Sequence, residues 1–242
     1  HLSGEQWNTP PLYAAMDILC LPTYREGLPN VPLEAAAMEL PVVATRIPGC
    51  VDAVADGKTG TLVPPRDATA LADALQGKAA FSDAPNGLFL AAPRRTGKST
   101  FLQSDLMPEL ARRQVVVVYV DLWADQKRDP GSLIAEAVGR ALLKQLGVVA
   151  KTARSAGLES ISVGGIKIDT SKIGRTDGST LADALRALVE AAKSPVALII
   201  DEAQHALTSE AGETAMAALK SARDQLNRPG NTQLMLVMSG SD

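Results

Sequence analysis

Short apolar runs recur along this chain between alanine-rich stretches of helical spacing, the pattern of a parallel α/β sheet. From Thr9, "TPPLYAAM" predicts a helix opened by threonine and proline, and "DILCLP" predicts a buried strand. The Gly-Pro loop of "REGLPN" enters an alanine-rich helix through "VPLEAAAMEL", followed by the strand "PVVAT" and a turn at "PGC". "GKTGTLVPP" supplies a further turn and strand, and "RDATALADALQ" a helix with Asp67 as its cap.

A second alternation starts near residue 84. "GLFLAAPRRTGKSTFL" reads as strand, loop and helix, and "RRQVVVVYVDL" as a fully buried strand leading to a helix through "SLIAEAVGRALLKQL". "SPVALIIDEAQHAL" is an apolar strand that ends in Asp201-Glu202 and runs into another helix; "TQLMLVMSGSD" is a last buried strand. Between them, "ARSAGLESISVGGIKIDTSKIGRTDGST" alternates apolar and polar residues around Gly164-Gly165, which predicts a hairpin within a connecting segment. The changeover between the two alternations falls near Gln76–Ala80. No Pro/Ser-rich linker marks it, so the two folds nearly abut.

Composition narrows the class. A length of 242 residues suits two modest domains, and 46% hydrophobic with 21% charged residues is the balance of a soluble globular chain. No stretch is long and apolar enough to read as a membrane helix, and a cytoplasmic location is the expectation. The net charge of −3 provides no broad cationic field for nucleic acid, and Arg94-Arg95 and Arg112-Arg113 read as solvated surface charge. Cys20 and Cys50 read as reduced thiols. With only His1 and His205 and no Cys-x-x-Cys, a zinc site is not expected. An opening on His1 and an ending on "SGSD" read as a fragment of a longer chain.

Two constellations carry chemistry. In the second half, Ala92-Pro93-Arg94-Arg95-Thr96-Gly97-Lys98-Ser99-Thr100 has the Gly-x4-Gly-Lys-Ser spacing of the Walker A loop, with Ala92 in the first glycine's place. That arrangement lets loop amides, the new helix's positive end and the Lys98 ammonium converge on phosphates, with Ser99 placed for magnesium. Asp201 and Glu202 end an apolar strand in the Walker B manner, one carboxylate for magnesium and the next for the attacking water. In the first half, Glu26 sits before Gly27 and Leu28 in a loop aimed at a helix N-terminus, and Glu34 lies just inside that helix, seven residues separating the two acids. A carboxylate so placed can face a sugar, while the second accepts hydrogen bonds from ribose hydroxyls.

On these residues, "EGLPNVPLEAAA" with "PVVATRIPGCVDAVADGKTGTLVPPRDATALADAL" resembles the donor-binding half of the family 4 retaining glycosyltransferases, of GT-B fold. The resemblance implies that Glu26 lies beside the donor sugar of a nucleotide-diphosphate sugar and that Glu34 holds the nucleotide ribose. It also implies that transfer is lost through truncation, because the acceptor domain and the early part of the donor domain are absent. Where that family usually ends the helix with glycine, this chain has Glu39, which in a left-handed conformation costs about 1 kcal/mol.

"APRRTGKST", "LIIDEAQ" and "LMLVMSGS" resemble the P-loop ATPases of the AAA+ and STAND-like group over about residues 84–242. That resemblance implies ATP and Mg2+ as ligands, with Lys98 on phosphates, Ser99 and Asp201 on the metal and Glu202 activating water. It adds Ser239 or Ser241 as a polar sensor after the last strand, and a homo-oligomer formed through the ATPase core. The helical lid of that group is not in the chain, and no arginine is assigned as a finger. The expectation is an α/β chain: a partial Rossmann-like GT-B half-domain over 1–78, then a parallel-sheet P-loop NTPase core over 79–242. Its function is read as ATP hydrolysis. The rival readings are a family 4 sugar transfer and a non-catalytic, nucleotide-gated interaction module.

Overall fold

The computed structural model describes residue 13 and residues 18–23, 26–65, 67–76, 87–91, 98–125, 127–147, 160–163, 166–169, 178–228 and 231–240. The chain divides into two compact units, one formed by His1–Arg113 with Val237–Asp242, the other by Gln114–Leu236.

The first unit is built on four parallel strands in the order β3-β2-β1-β4. These are β1 (Ile18–Leu21), β2 (Val42–Thr45), β3 (Gly60–Val63) and β4 (Gly87–Ala91). β1 and β2 are buried at all four positions, as strands covered on both faces must be. Leu19, Leu21, Val42, Ala44 and Leu62 pack in one core with Ala35 and Cys50. Three helices alternate with the first strands: α1 (Asn30–Ala37), α2 (Pro48–Ala53) and α3 (Ala68–Leu75). Asp67 caps α3 as expected, its Oδ1 accepting from the Ala70 amide at 2.9 Å. Glu39, just past α1, has φ 58°, the left-handed conformation for which glycine is the easier residue. The "PGC" segment is a helix rather than a turn. Ile47 is extended, and Pro48 enters at the first helical turn, where its fixed φ is an advantage. Of the helix expected over "TPPLYAAM", only Tyr13 is among the described residues, and it is helical and buried.

After β4 the chain forms α4 (Lys98–Phe101), a π-turn over Leu102–Leu106 and α5 (Met107–Arg112). Pro108 accounts for the wider turn. It has no N–H to give the carbonyl four residues back and its ring crowds that carbonyl, while the Met107 amide reaches five residues back to the Leu102 carbonyl. Leu102, Leu106 and Leu110 are fully buried, and α3 packs against the π-turn and α5.

In the second unit the strand order is β9-β8-β5, with β5 (Val116–Asp121) and β8 (Val196–Asp201) parallel and in register from Val116↔Val196 to Asp121↔Asp201. β9 spans Leu234–Gly240, of which Leu234–Leu236 belong to this unit and Val237–Gly240 to the first. β8, read from its sequence as an apolar strand, is buried at every position. β5 is not: Val116, Val117 and Tyr119 are half-buried, because β5 ends this strand order and only one side of it is paired. α6 (Pro130–Leu146), α7 (Gly178–Ala192) and α8 (Glu210–Leu226) pack together. Asp129 caps α6 by accepting from the Ser132 amide, and the cap of α8, Ser209, donates its hydroxyl to the same Asp129 carboxylate at 3.3 Å. The expected hairpin is present as β6 (Ser160–Val163) and β7 (Ile166–Asp169), antiparallel with Val163 opposite Ile166. Among the described residues no helix is long and apolar enough to cross a membrane.

Candidate functional site

In the second unit, the C-terminal ends of β5 and β8 gather the polar residues. Asp201 closes β8 with only 1% of its surface exposed. A buried carboxylate needs hydrogen-bond donors. It has two: Tyr119 Oη, from half-way along β5, donates to Oδ2 at 2.8 Å, and the Glu202 amide donates to Oδ1 at 3.1 Å. Among the described residues no cationic side chain pairs with Asp201. The donor set is therefore neutral. Two oxygens fixed in place on a buried carboxylate suit a hard divalent cation.

Glu202 follows in the left-handed conformation, φ 55° and ψ 44°, an uncommon backbone for a side chain that has a Cβ. That bend ends the strand and begins a 3-10 turn over Ala203–Thr208. Gln204 Nε2 donates to Glu202 Oε2 at 2.5 Å, so the carboxylate that follows the buried acid is itself oriented. Trp123, two residues beyond Asp121, meets His205 edge-on with ring centroids 4.5 Å apart, which ties the segment after β5 to the 3-10 turn.

In the first unit, Lys98 opens α4 and is buried to 8% exposure, whereas Ser99 and Thr100 are exposed. A lysine at that depth needs a polar or anionic environment. Ala92, Pro93, Arg94, Arg95, Thr96 and Gly97 lie outside the described residues, as does Ser241. Ser239, on β9, is fully buried and its Oγ has no hydrogen-bond partner among the described residues. An orphaned buried hydroxyl costs about 1–3 kcal/mol, which an added acceptor such as a phosphate oxygen would recover.

The first unit also carries the other pair of acids. Glu26, Gly27 and Leu28 form the loop between β1 and α1, with Gly27 and Leu28 exposed, and Glu34 is on α1. Thr23 Oγ1 donates to Glu26 Oε1 at 3.3 Å, and Tyr13 Oη donates to Glu34 Oε2 at 2.9 Å. Thr45, at the end of β2, fixes the start of that loop: its hydroxyl lies 2.5 Å from the Thr23 carbonyl and 3.2 Å from that of Leu21, and accepts from the Thr23 amide at 3.0 Å. Gly49 of α2 comes closer still. A Cβ there would fall 1.8 Å from the Gly27 carbonyl oxygen and 2.5 Å from that of Glu26. Burial and the nearby Glu26 charge push the Cys50 thiol up to about 11, so it stays protonated.

Tyr119, Tyr13, Thr45 and Gly49 carry no site signal in the sequence, whereas Gln204 has one, its place directly after the acidic pair. The others act from 21 to 82 positions away along the chain.

The family model described as "AAA domain" matches residues 83–241. The chain belongs to the AAA domain family. The model for "Glycosyl transferases group 1" matches residues 1–78 of the same chain. This chain is therefore an AAA domain preceded by a glycosyltransferase-like segment. It is similar to the capsular polysaccharide biosynthesis glycosyltransferase CapM of Staphylococcus aureus, 41% identical over 64 residues, 26% of this chain and 17% of the relative. It is likewise similar to the D-inositol 3-phosphate glycosyltransferase of Corynebacterium urealyticum, 50% identical over 26% of this chain and 15% of the relative. The second such enzyme of Catenulispora acidiphila is 45% identical over 35% of this chain and 19% of the relative. The chain thus spans less than a fifth of the length of these curated relatives. A Walker-type ATPase of Pyrococcus abyssi aligns with 78% of this chain and 46% of its own, at 19% identity and a TM-score of 0.43.

Proposed function

We propose that the AAA domain binds ATP with Mg2+ and hydrolyses it to ADP and phosphate. The observation that carries the reading is Asp201: a carboxylate buried at the end of a fully buried strand, held by Tyr119, with an oriented glutamate next to it. In the second unit Asp201 holds the metal, as the Walker B acid, and Glu202 orients and deprotonates water. In the first unit Lys98 and the Walker A residues 92–97 are the candidates for phosphate, with Thr100 and the Ser239 hydroxyl as further candidates, and Ser99 is a candidate ligand for magnesium. The metal, when bound, supplies charge neutralisation at the β- and γ-phosphates.

The test is phosphate release by the full chain with and without magnesium, next to equilibrium binding of labelled ATP. Lys98→Ala is expected to lose binding. Glu202→Gln is expected to bind ATP and to lose turnover at least about a hundredfold. Tyr119→Phe, which removes one donor to Asp201, is expected to weaken magnesium-dependent turnover by about tenfold, equivalent to ~1.5 kcal/mol. Hydrolysis unaffected by Glu202→Gln refutes the assignment.

A second reading gives residues 1–78 a nucleotide-diphosphate sugar, with Glu26, Gly27 and Leu28 toward the sugar and Glu34 toward the ribose. The support built around the Glu26 loop by Thr45 and Gly49 favours it. Titration with a sugar nucleotide, lost in Glu34→Ala, is its test.

A further inference from the structure

The change of family falls between residues 78 and 83, but the first compact unit runs on to Arg113 and so takes in the opening strand and helix of the AAA domain. Three contacts inside that unit explain why. β1 belongs to the glycosyltransferase-like segment and β4 to the AAA domain, yet they pair in parallel, with Ile18 opposite Leu88, Leu19 opposite Phe89 and Cys20 opposite Leu90. Without β4, the wholly buried β1 would expose a row of backbone donors and acceptors on one edge. α3, also of the glycosyltransferase-like segment, packs on the π-turn and α5. The third contact is Arg113, whose side chain is 13% exposed.

The Arg113 guanidinium spans both segments. Its Nε donates to Glu109 Oε1 at 2.7 Å within the AAA domain. Across the change of family, Nη1 donates to Asp73 Oδ1 at 2.6 Å and to Gln76 Oε1 at 3.0 Å, and Nη2 donates to the Thr69 carbonyl at 3.1 Å. A mostly buried guanidinium is tolerated only when its fork of donors is met in this way, and no other side chain reproduces that fork. The partners across the change of family are specific to it: a carboxylate and a carbonyl on α3 and the Gln76 amide just past its end.

We infer that the glycosyltransferase-like segment is the structural partner of the helix that opens at Lys98, the two folding as one cooperative unit stapled by Arg113, whatever residues 1–78 bind. Amide hydrogen exchange on the full chain, followed by mass spectrometry over a urea series, tests this. Peptides covering 18–45 and 98–113 are expected to open together, with the same urea dependence. Arg113→Met is expected to speed exchange about tenfold or more in both sets, leaving 196–226 within about twofold of the parent. Asp73→Asn, at a half-exposed position that does not endanger folding, is expected to give the same paired pattern with a smaller amplitude. The inference is overturned if residues 18–45 keep parental protection while 107–113 lose theirs in either variant. It is equally overturned if the parent chain opens in separate transitions on the two sides of residue 78.

Discussion

Gly49 and Gly27 face each other across one contact, and only one of them depends on lacking a side chain. At Gly49 an added Cβ would lie 1.8 Å from the Gly27 carbonyl oxygen, and real contacts of that kind do not fall below 3.0 Å. The Glu26–Gly27 loop would have to retreat by about 1.2 Å, and what obstructs is backbone rather than a side chain that can swing aside. Thr45 resists such a retreat, because its hydroxyl is bonded to the Thr23 carbonyl and amide at the root of the loop. Overpacking against a fixed neighbour costs about 1–3 kcal/mol, so Gly49→Ala is expected to lower the thermal midpoint by roughly 2–12 °C in a chain of this size. At Gly27 the same methyl meets nothing within 4 Å. Gly27→Ala is therefore expected to leave stability within about 0.5 kcal/mol of the parent. Circular dichroism melts of the two variants decide the matter. Equal midpoints, or a larger loss at Gly27, would refute the argument that α2 holds the Glu26 loop by backbone contact.

Two further outcomes are expected. Glu39→Gly relieves the left-handed backbone at φ 58° and should raise stability by about 1 kcal/mol, read from a urea titration; an unchanged midpoint counts against strain there. Glu109 has its carboxyl lowered from the ordinary 4.5 to about 2, first by the hydrogen bond from Arg112 and then by that from Arg113. A depressed carboxyl stabilises the folded chain above its unfolded value and loses that contribution as pH falls through the folded one. Stability should thus decline between about pH 4.5 and 2, and Glu109→Gln should be less stable near pH 7 and show a shallower decline across that window in pH-dependent melts.

Local patterns in the chain were enough to place most of the elements. Alternation around Gly164-Gly165 located the hairpin, Asp67 announced a helix start, and the all-apolar run before Asp201-Glu202 marked a strand. The acidic pair could be read because both residues sit at one strand end, where neighbours in sequence are neighbours in space. What could not be read depends on distant parts of the chain. Nothing near "VVVVYVD" reveals that this strand ends its row, so its valines looked more buried than they are. Tyr119 resembles any aromatic residue in a strand until β8 lies beside it, 82 positions further on. Arg112-Arg113 looked like solvated charge, and Arg112 is indeed exposed, but Arg113 turns inward because α3 offers it acceptors about forty positions upstream.

The π-turn at Leu102–Leu106 sets the angular phase between the two ends of its helical run. Widening by one residue offsets everything after it by about 100° relative to an unbroken α-helix. Lys98 and Arg113 therefore lie on azimuths that a regular helix of the same sequence could not give them. Removing a single residue from the run would restore ordinary winding and leave the guanidinium facing Asp73, whereas ordinary winding at the present length would turn it about 100° away, so the extra residue and the wide turn offset each other.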